Sequence, residues 1–187
     1  MPGSPTVRRF RAVSRGVAFP RPRIALLLLP LAAATALAQA PVDVAVPGGS
    51  LRRLVPEQVG VFKLGTISGV PEALAMGATD ALVASYSAPD SGEVALMLSA
   101  FPSPATNQEA MDELVRLMTG DQGFTSAAEG NVSGAGGAQV GKYARLESAT
   151  EEAIVWTNGN LLTWIYGPLG TALNFHKIYP NGLGPLS

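Results

Sequence analysis

The chain of 187 residues has no cysteine, a single histidine, 14 % charged residues and 6 % aromatic residues. Each scarcity closes off a class of protein. Without cysteine there is no disulfide framework, no thiolate metal or iron–sulfur site, no thiol nucleophile and no lipid-bearing cysteine. With His176 as the one imidazole, multi-histidine metal sites are excluded. No Asp/Asn run ending in a bidentate Glu is present for calcium. No nucleophile elbow accompanies His176, and a serine triad would need the ring oriented by a carboxylate, so a structural histidine is the expectation. The length fits one domain.

The charges that exist are unevenly placed. Six arginines (Arg8, Arg9, Arg11, Arg15, Arg21, Arg23) precede the first acid, Asp43, and an apolar run, Ile24–Ala38, lies between them. A basic segment, a short apolar core and small residues at its end make a secretory signal peptide. The run is shorter than the roughly 20 residues that span a bilayer and contains Pro30. Cleavage is expected after Ala38. The competing cut after Ala40 would place Pro41 directly behind it, and proline restricts the residue before it. Retention as an anchor is the remaining alternative, and the membrane is expected to be met only through this segment. Once cut, the chain keeps seven basic residues against 14 acids, 7 − 14 = −7. An acidic domain without a basic stripe argues against a nucleic-acid partner.

Residues 39–55, rich in Pro and Gly, read as a flexible spacer, and 56–187 as one domain. Strands are expected at 59–67, 78–86, 93–101, 124–129, 139–147, 153–157 and 161–166. Ala88-Pro-Asp-Ser-Gly92 is a turn, and Asn158-Gly159 is a two-residue hairpin signal. In 93–101, Val94, Leu96 and Leu98 share one face and Ala95, Met97 and Phe101 the other, which marks a strand covered on both sides. Thr106-Asn-Gln-Glu109 reads as a capping box, followed by an apolar stripe of Met111, Leu114, Val115 and Met118, with Gly120 as its end. Thr171 is expected to cap a short helix stopped by Pro180. The fold class expected is α+β: a mostly antiparallel sheet of about six to seven strands, one main helix (about 104–119) packed on a face, and a short C-terminal helix (about 171–179).

Two sets of residues stand out as candidates. Trp156, Trp164 and Tyr166 lie on one hairpin with the tryptophans on opposite faces, so one of them is a candidate interaction surface. Met97, Met111 and Met118 are candidate lining for a small apolar ligand between helix and sheet. Gly136-Gly-Ala-Gln-Val-Gly-Lys142 has the spacing of a phosphate loop. Tyr143, however, stands where a hydroxyl must reach Mg²⁺, and a strand, not a helix, follows. It reads as a glycine-rich loop. Asp80 with Glu93, on neighbouring strands, is the one carboxylate pair that glycosidase-like chemistry could draw on. No catalytic residue, cofactor or metal is assigned.

Leu54-Val-Pro-Glu-Gln-Val-Gly-Val-Phe62, Gly77-Ala-Thr-Asp80, and Phe101-Pro-Ser-Pro104 before a helix resemble a class of bacterial exported small α+β domains of unknown function. The resemblance spans about 54–180 and implies no catalytic residues. The expectation is an exported, periplasmic or extracellular, non-enzymatic binding module. Its partner is an unknown protein or a small apolar ligand, with a carboxylate-based hydrolase as the remoter alternative.

Overall fold

The computed structural model describes residues 45–46, 49–134 and 137–183. The expected signal peptide and its cleavage sites fall outside the described residues, as do positions 39–44 and 47–48 of the expected spacer. Two short strands, β1 (Ala45–Val46) and β2 (Gly49–Ser50), pair with each other. A single 3-10 turn follows at Leu51–Leu54. Eight strands then form one antiparallel sheet: β3 (Gln58–Val59), β4 (Phe62–Gly69), β5 (Asp80–Ala88), β6 (Gly92–Ala100), β7 (Thr125–Ser133), β8 (Gln139–Glu147), β9 (Glu151–Asn158) and β10 (Leu161–Pro168). Their spatial order is β3-β4-β5-β6-β10-β9-β8-β7. Three helices, α1 (Pro71–Ala75), α2 (Pro104–Asp121) and α3 (Thr171–Ile178), complete the described residues.

This overturns the expected fold class. The described residues form an eight-stranded antiparallel sheet with three short helices, dominated by strand, rather than six to seven strands with one main helix packed on a face and a short C-terminal helix. Two local causes account for it. Gly60, at φ +58°, turns the chain inside the expected strand 59–67 and splits it into β3 and β4. At the other end β7 runs on through Gly130 and Asn131 to Ser133. As an edge strand it needs no apolar run on either face, so the sequence marks only 124–129 as strand and leaves the rest of it as loop.

The sheet buries both faces. On one side Val83, Phe101, Leu146, Val155, Leu162 and Trp164 pack against Ala73 of α1 and Met111, Leu114 and Met118 of α2. On the other, Leu82, Tyr86, Leu96, Ile154, Trp156 and Ile165 pack against Phe175 and Tyr179 of the α3 segment and against Leu51, Val55 and Val59. The segment read as spacer is therefore part of the fold from Leu51 on, because Leu51 and Val55 are core residues. Two phenols pin it there. Tyr86 Oη donates to the Pro56 carbonyl and Tyr179 Oη to the Leu54 carbonyl, each at 2.7 Å.

The helix starts differ from the sequence reading. The cap of α2 is Ser103, not Thr106. Thr106 N–H donates to Ser103 Oγ and Ser103 N–H donates to Thr106 Oγ1, both at 3.2 Å. Pro104 explains the shift, since proline is preorganised for the first helical position. At the far end the left-handed residue is Gly123 (φ +73°), three beyond Gly120. Thr171 does not cap α3 either: it is the first helical residue, and the N-cap is Gly170 at φ +79°.

Candidate functional site

The hairpin that carries both tryptophans turns at Gly159-Asn160, so Thr157 faces Leu162 and Trp156 faces Thr163. Pairing about Asn158-Gly159 would have set Trp156 against Leu161. The offset is two residues, and a two-residue slip preserves the faces where a one-residue slip exchanges them. Trp156 therefore still lies on the α3 side and Trp164 on the α2 side. Both are buried, at 2 % and 5 % exposure, so neither presents a tryptophan surface. Tyr166 is half-buried, its ring 6.0 Å from that of Trp164. Burial, and then the neighbouring Glu151 carboxylate, push its phenol well above the usual range.

The three methionines do not share a pocket. Met118 is core, at 1 % exposure. Met97 borders a small apolar cavity of about 40 Å³ beneath α1 and α2. Met111 lies on the rim of a separate, open cleft. The space between α2 and the sheet is thus divided rather than continuous.

The open cleft has a volume of about 410 Å³. It arises from topology. α2 packs over β8, β9 and β10, while β7 continues the sheet beyond it. Met111, Asp112 and Val115 of α2 form one wall; Glu129 and Asn131 of β7 with Lys142 and Ala144 of β8 form the floor. Register aligns this floor, since Glu129 pairs with Ala144 and Asn131 with Lys142. Asp112 accepts from Gln108 Nε2 at 2.7 Å and Glu129 from Ser126 Oγ at 2.7 Å. Lys142, Asp112 and Glu129 are exposed and form no ion pair among the described residues. Mixed polar and apolar groups and a volume of a few hundred Å³ are the properties of a ligand or peptide site. Sequence reading missed it, because its residues belong to three elements and have no shared motif.

Two groups with chemical potential elsewhere, His176 and Glu152, stand inside the core. His176 is 1 % exposed. Its Nε2 accepts from Leu183 N–H at 3.2 Å, which places the ring proton on Nδ1, and its ring lies 5.4 Å from that of Trp156, edge to face. Burial pushes its pKa down, with Glu152 opposing and Lys177 assisting. Glu152, fully buried, pairs with Arg145 Nε at 2.7 Å and accepts from the N–H groups of Gly170 (3.1 Å) and Leu173 (3.0 Å). It supplies the cap that Gly170 lacks, and a carboxylate at a helix N-terminus is favoured by the helix dipole.

Asp80 and Glu93 do not converge. Asp80 pairs with Ala100, seven residues along β6 from Glu93, a separation of about 23 Å at strand rise. In the phosphate-loop spacing, Gly136 lies outside the described residues and Gly141 sits within β8. A Cβ at Gly141 would stand 1.9 Å from the Thr157 carbonyl oxygen, so this glycine serves close strand approach. Among the described residues no cluster of three or more His, Asp or Glu could hold a metal, and no helix is long and apolar enough to cross a membrane.

No family model and no curated protein sequence matches the chain. Among solved structures, a GTP binding regulator from Thermotoga maritima is similar with a TM-score of 0.41 and 12 % identity, over 71 % of this chain and 86 % of that chain. A likeness that weak carries no argument about function.

Proposed function

We propose that this chain is an exported binding domain, and that the cleft between α2 and the β7–β8 end of the sheet is its contact surface. The cleft itself carries the reading: three exposed charged side chains, Asp112, Glu129 and Lys142, without ion-pair partners among the described residues surround an open concavity in which Val115 is half-buried over the buried Met111 and Ala144. The reading is also supported by where the reactive groups stand. His176 and Glu152 each have structural hydrogen bonds inside the core. The partner that fits best is a protein segment that lays an apolar side chain against Val115 and places charges of both signs beside Lys142 and the two carboxylates. Export follows from the arginine-rich start and the apolar run Ile24–Ala38.

A photo-crosslinking residue at Val115 tests the site in the native host. The reading expects one discrete adduct from Val115. A crosslinker at Glu93, an exposed β6 residue four strands and so about 19 Å from β7, should give none. Equal labelling from both positions, or from neither, would remove the cleft as the contact surface.

A further inference from the structure

β7 is the edge of the sheet, and its neighbour β8 fixes which way its backbone faces. Lys142 N–H donates to Thr157 Oγ1 at 3.0 Å, and the Val140 carbonyl accepts from Gly159 N–H at 3.0 Å. Residues 140 and 142 therefore turn their backbone groups toward β9. Asn131 stands opposite Lys142, and Glu129 opposite Ala144. In an antiparallel ladder, opposed residues alternate between exchanging both backbone hydrogen bonds and exchanging none. Asn131 and Lys142 are a pair of the second kind, and so are Glu129 and Ala144, two residues along. The N–H and C=O groups of Glu129 and Asn131 thus point away from the sheet. No backbone group meets them among the described residues.

The two edges of the sheet are built differently. On the far edge β3 has two residues and covers only the start of β4. A bulge between Leu64 and Ile67 then leaves 67–69 as the regular pairing of β4 with β5 beyond it. Short strands and bulges are how an edge is kept from pairing. On β7 the register shifts between Ser126 and Ala128 and again between Val132 and Ser133, so 128–132 stay in unbroken register with β8. These five residues, about 17 Å of strand, contain neither lysine nor proline, which commonly guard an edge.

The side chains agree with the backbone. Glu129 and Asn131, whose backbones face outward, are also the β7 residues on the cleft floor. A strand laid along β7 continues that floor. Its residue opposite Glu129 projects to the same face, the face whose α2 wall carries Asp112. Glu129 is the one charged residue of β7, and a cation opposite it has carboxylates on both the floor and the wall. A second copy of the chain is the poorer occupant, since each processed chain carries 7 − 14 = −7 and like charges resist association.

We propose that the partner of the cleft binds by strand addition: an extended protein segment pairs with Glu129 and Asn131 along the outer edge of β7 and sets a lysine or arginine opposite Glu129. This rests on the cleft reading and adds the backbone as the means of attachment. Main-chain pairing supplies affinity, and the side chains on the cleft face supply specificity.

The test uses the full chain in its native host with the photo-crosslinker at Val115, in three variant backgrounds. Asn131→Pro deletes an outward N–H and spares the β7–β8 ladder, a place where an edge strand tolerates proline. Asn131→Ala removes the same side chain and keeps the N–H. The expected adduct survives Asn131→Ala and falls about tenfold with Asn131→Pro, the worth of one hydrogen bond. Glu129→Lys should also lower it about tenfold, through like-charge repulsion. Equal yields from the two Asn131 variants would overturn strand addition and leave the cleft reading in place. A yield that Glu129→Lys leaves unchanged would overturn the cation, and an adduct at twice the chain mass would overturn the choice of partner. Absence of any Val115 adduct removes the cleft and strand addition together. Should Asn131→Pro fail to fold, hydrogen exchange on the purified Val115 adduct decides. The Glu129 and Asn131 amides should exchange about tenfold more slowly than in the free domain, and unchanged rates would overturn the proposal.

Discussion

Arg145 Nε donates to the Glu152 carboxylate at 2.7 Å in a pair whose acid is wholly buried and whose base is only partly so. The second oxygen of Glu152 holds the start of α3 through Gly170 and Leu173. Arg145 also reaches Glu147. One carboxylate thus ties β8, β9 and α3 together. Glu152→Ala would leave two helix N–H groups unsatisfied and a guanidinium without its buried partner. Loss of one member of such a pair costs about 3–5 kcal/mol. Equilibrium denaturation should show a fall in that range, with α3 amides exchanging fastest. A loss of less than about 1 kcal/mol, the scale of a surface pair, would contradict the assigned role.

His176 makes stability depend on pH. Burial depresses its folded pKa below the ordinary value of 6.5. The unfolded chain therefore binds a proton first as pH falls. The stability tied to the neutral ring is complete above about pH 6.5 and declines below it, toward the folded pKa. The Glu152 charge opposes this depression and Lys177 adds to it. Thermal melts between pH 7 and 5 should show a decline that His176→Gln flattens, whatever that substitution does to stability at pH 7. A parallel decline in the variant would place the sensitivity elsewhere.

Tyr86 and Tyr179 tether the segment that enters the fold. Replacing either phenol by phenylalanine removes one hydrogen bond to the chain at 54–56, worth about 1 kcal/mol. The double variant should free the Leu51–Pro56 stretch for proteolysis while the sheet stays resistant. Cleavage within β5 or β6 first would show that the phenols support the whole sheet rather than this segment.

Gly141→Ala tests whether the glycine-rich stretch serves strand approach. A methyl group 1.9 Å from the Thr157 carbonyl oxygen must push β8 from β9, and overpacking of this kind costs about 1–3 kcal/mol or more. Gly120→Ala, where a Cβ meets nothing within 4 Å, should be neutral or slightly stabilising in its helix. Equal stability of the two variants would refute the close-approach reading.

Side-chain periodicity carried much of the fold into the sequence. The faces of β6 and of the β9–β10 hairpin follow from alternation, because alternation records which side of a strand is wet. The turn position did not follow, since Asn158-Gly159 and Gly159-Asn160 both suit a two-residue loop and only the flanking pairs decide. Edge strand β7 was half hidden because polar residues and Gly130 are tolerated where one side of a strand is open. Leu51 and Val55 were lost in a proline- and glycine-rich stretch whose neighbours obscure two isolated core residues. The tryptophans drew notice through size, and the structure buries both. The cleft and the small cavity are products of packing between distant segments. Glu152 gave no signal either, since a buried acid is written like a surface one until its three partners are placed.

The α2–β7–β8 cleft is the proposed contact of the exported, processed domain with a partner. Native mass spectrometry of protein recovered from the envelope and medium tests it most directly, alongside Val115→Arg, which fills the cleft. The account predicts a mass beginning at Gln39 in a complex with a protein partner, and its loss in the variant. A chain that keeps residues 1–38, or a complex that Val115→Arg leaves intact, would contradict it.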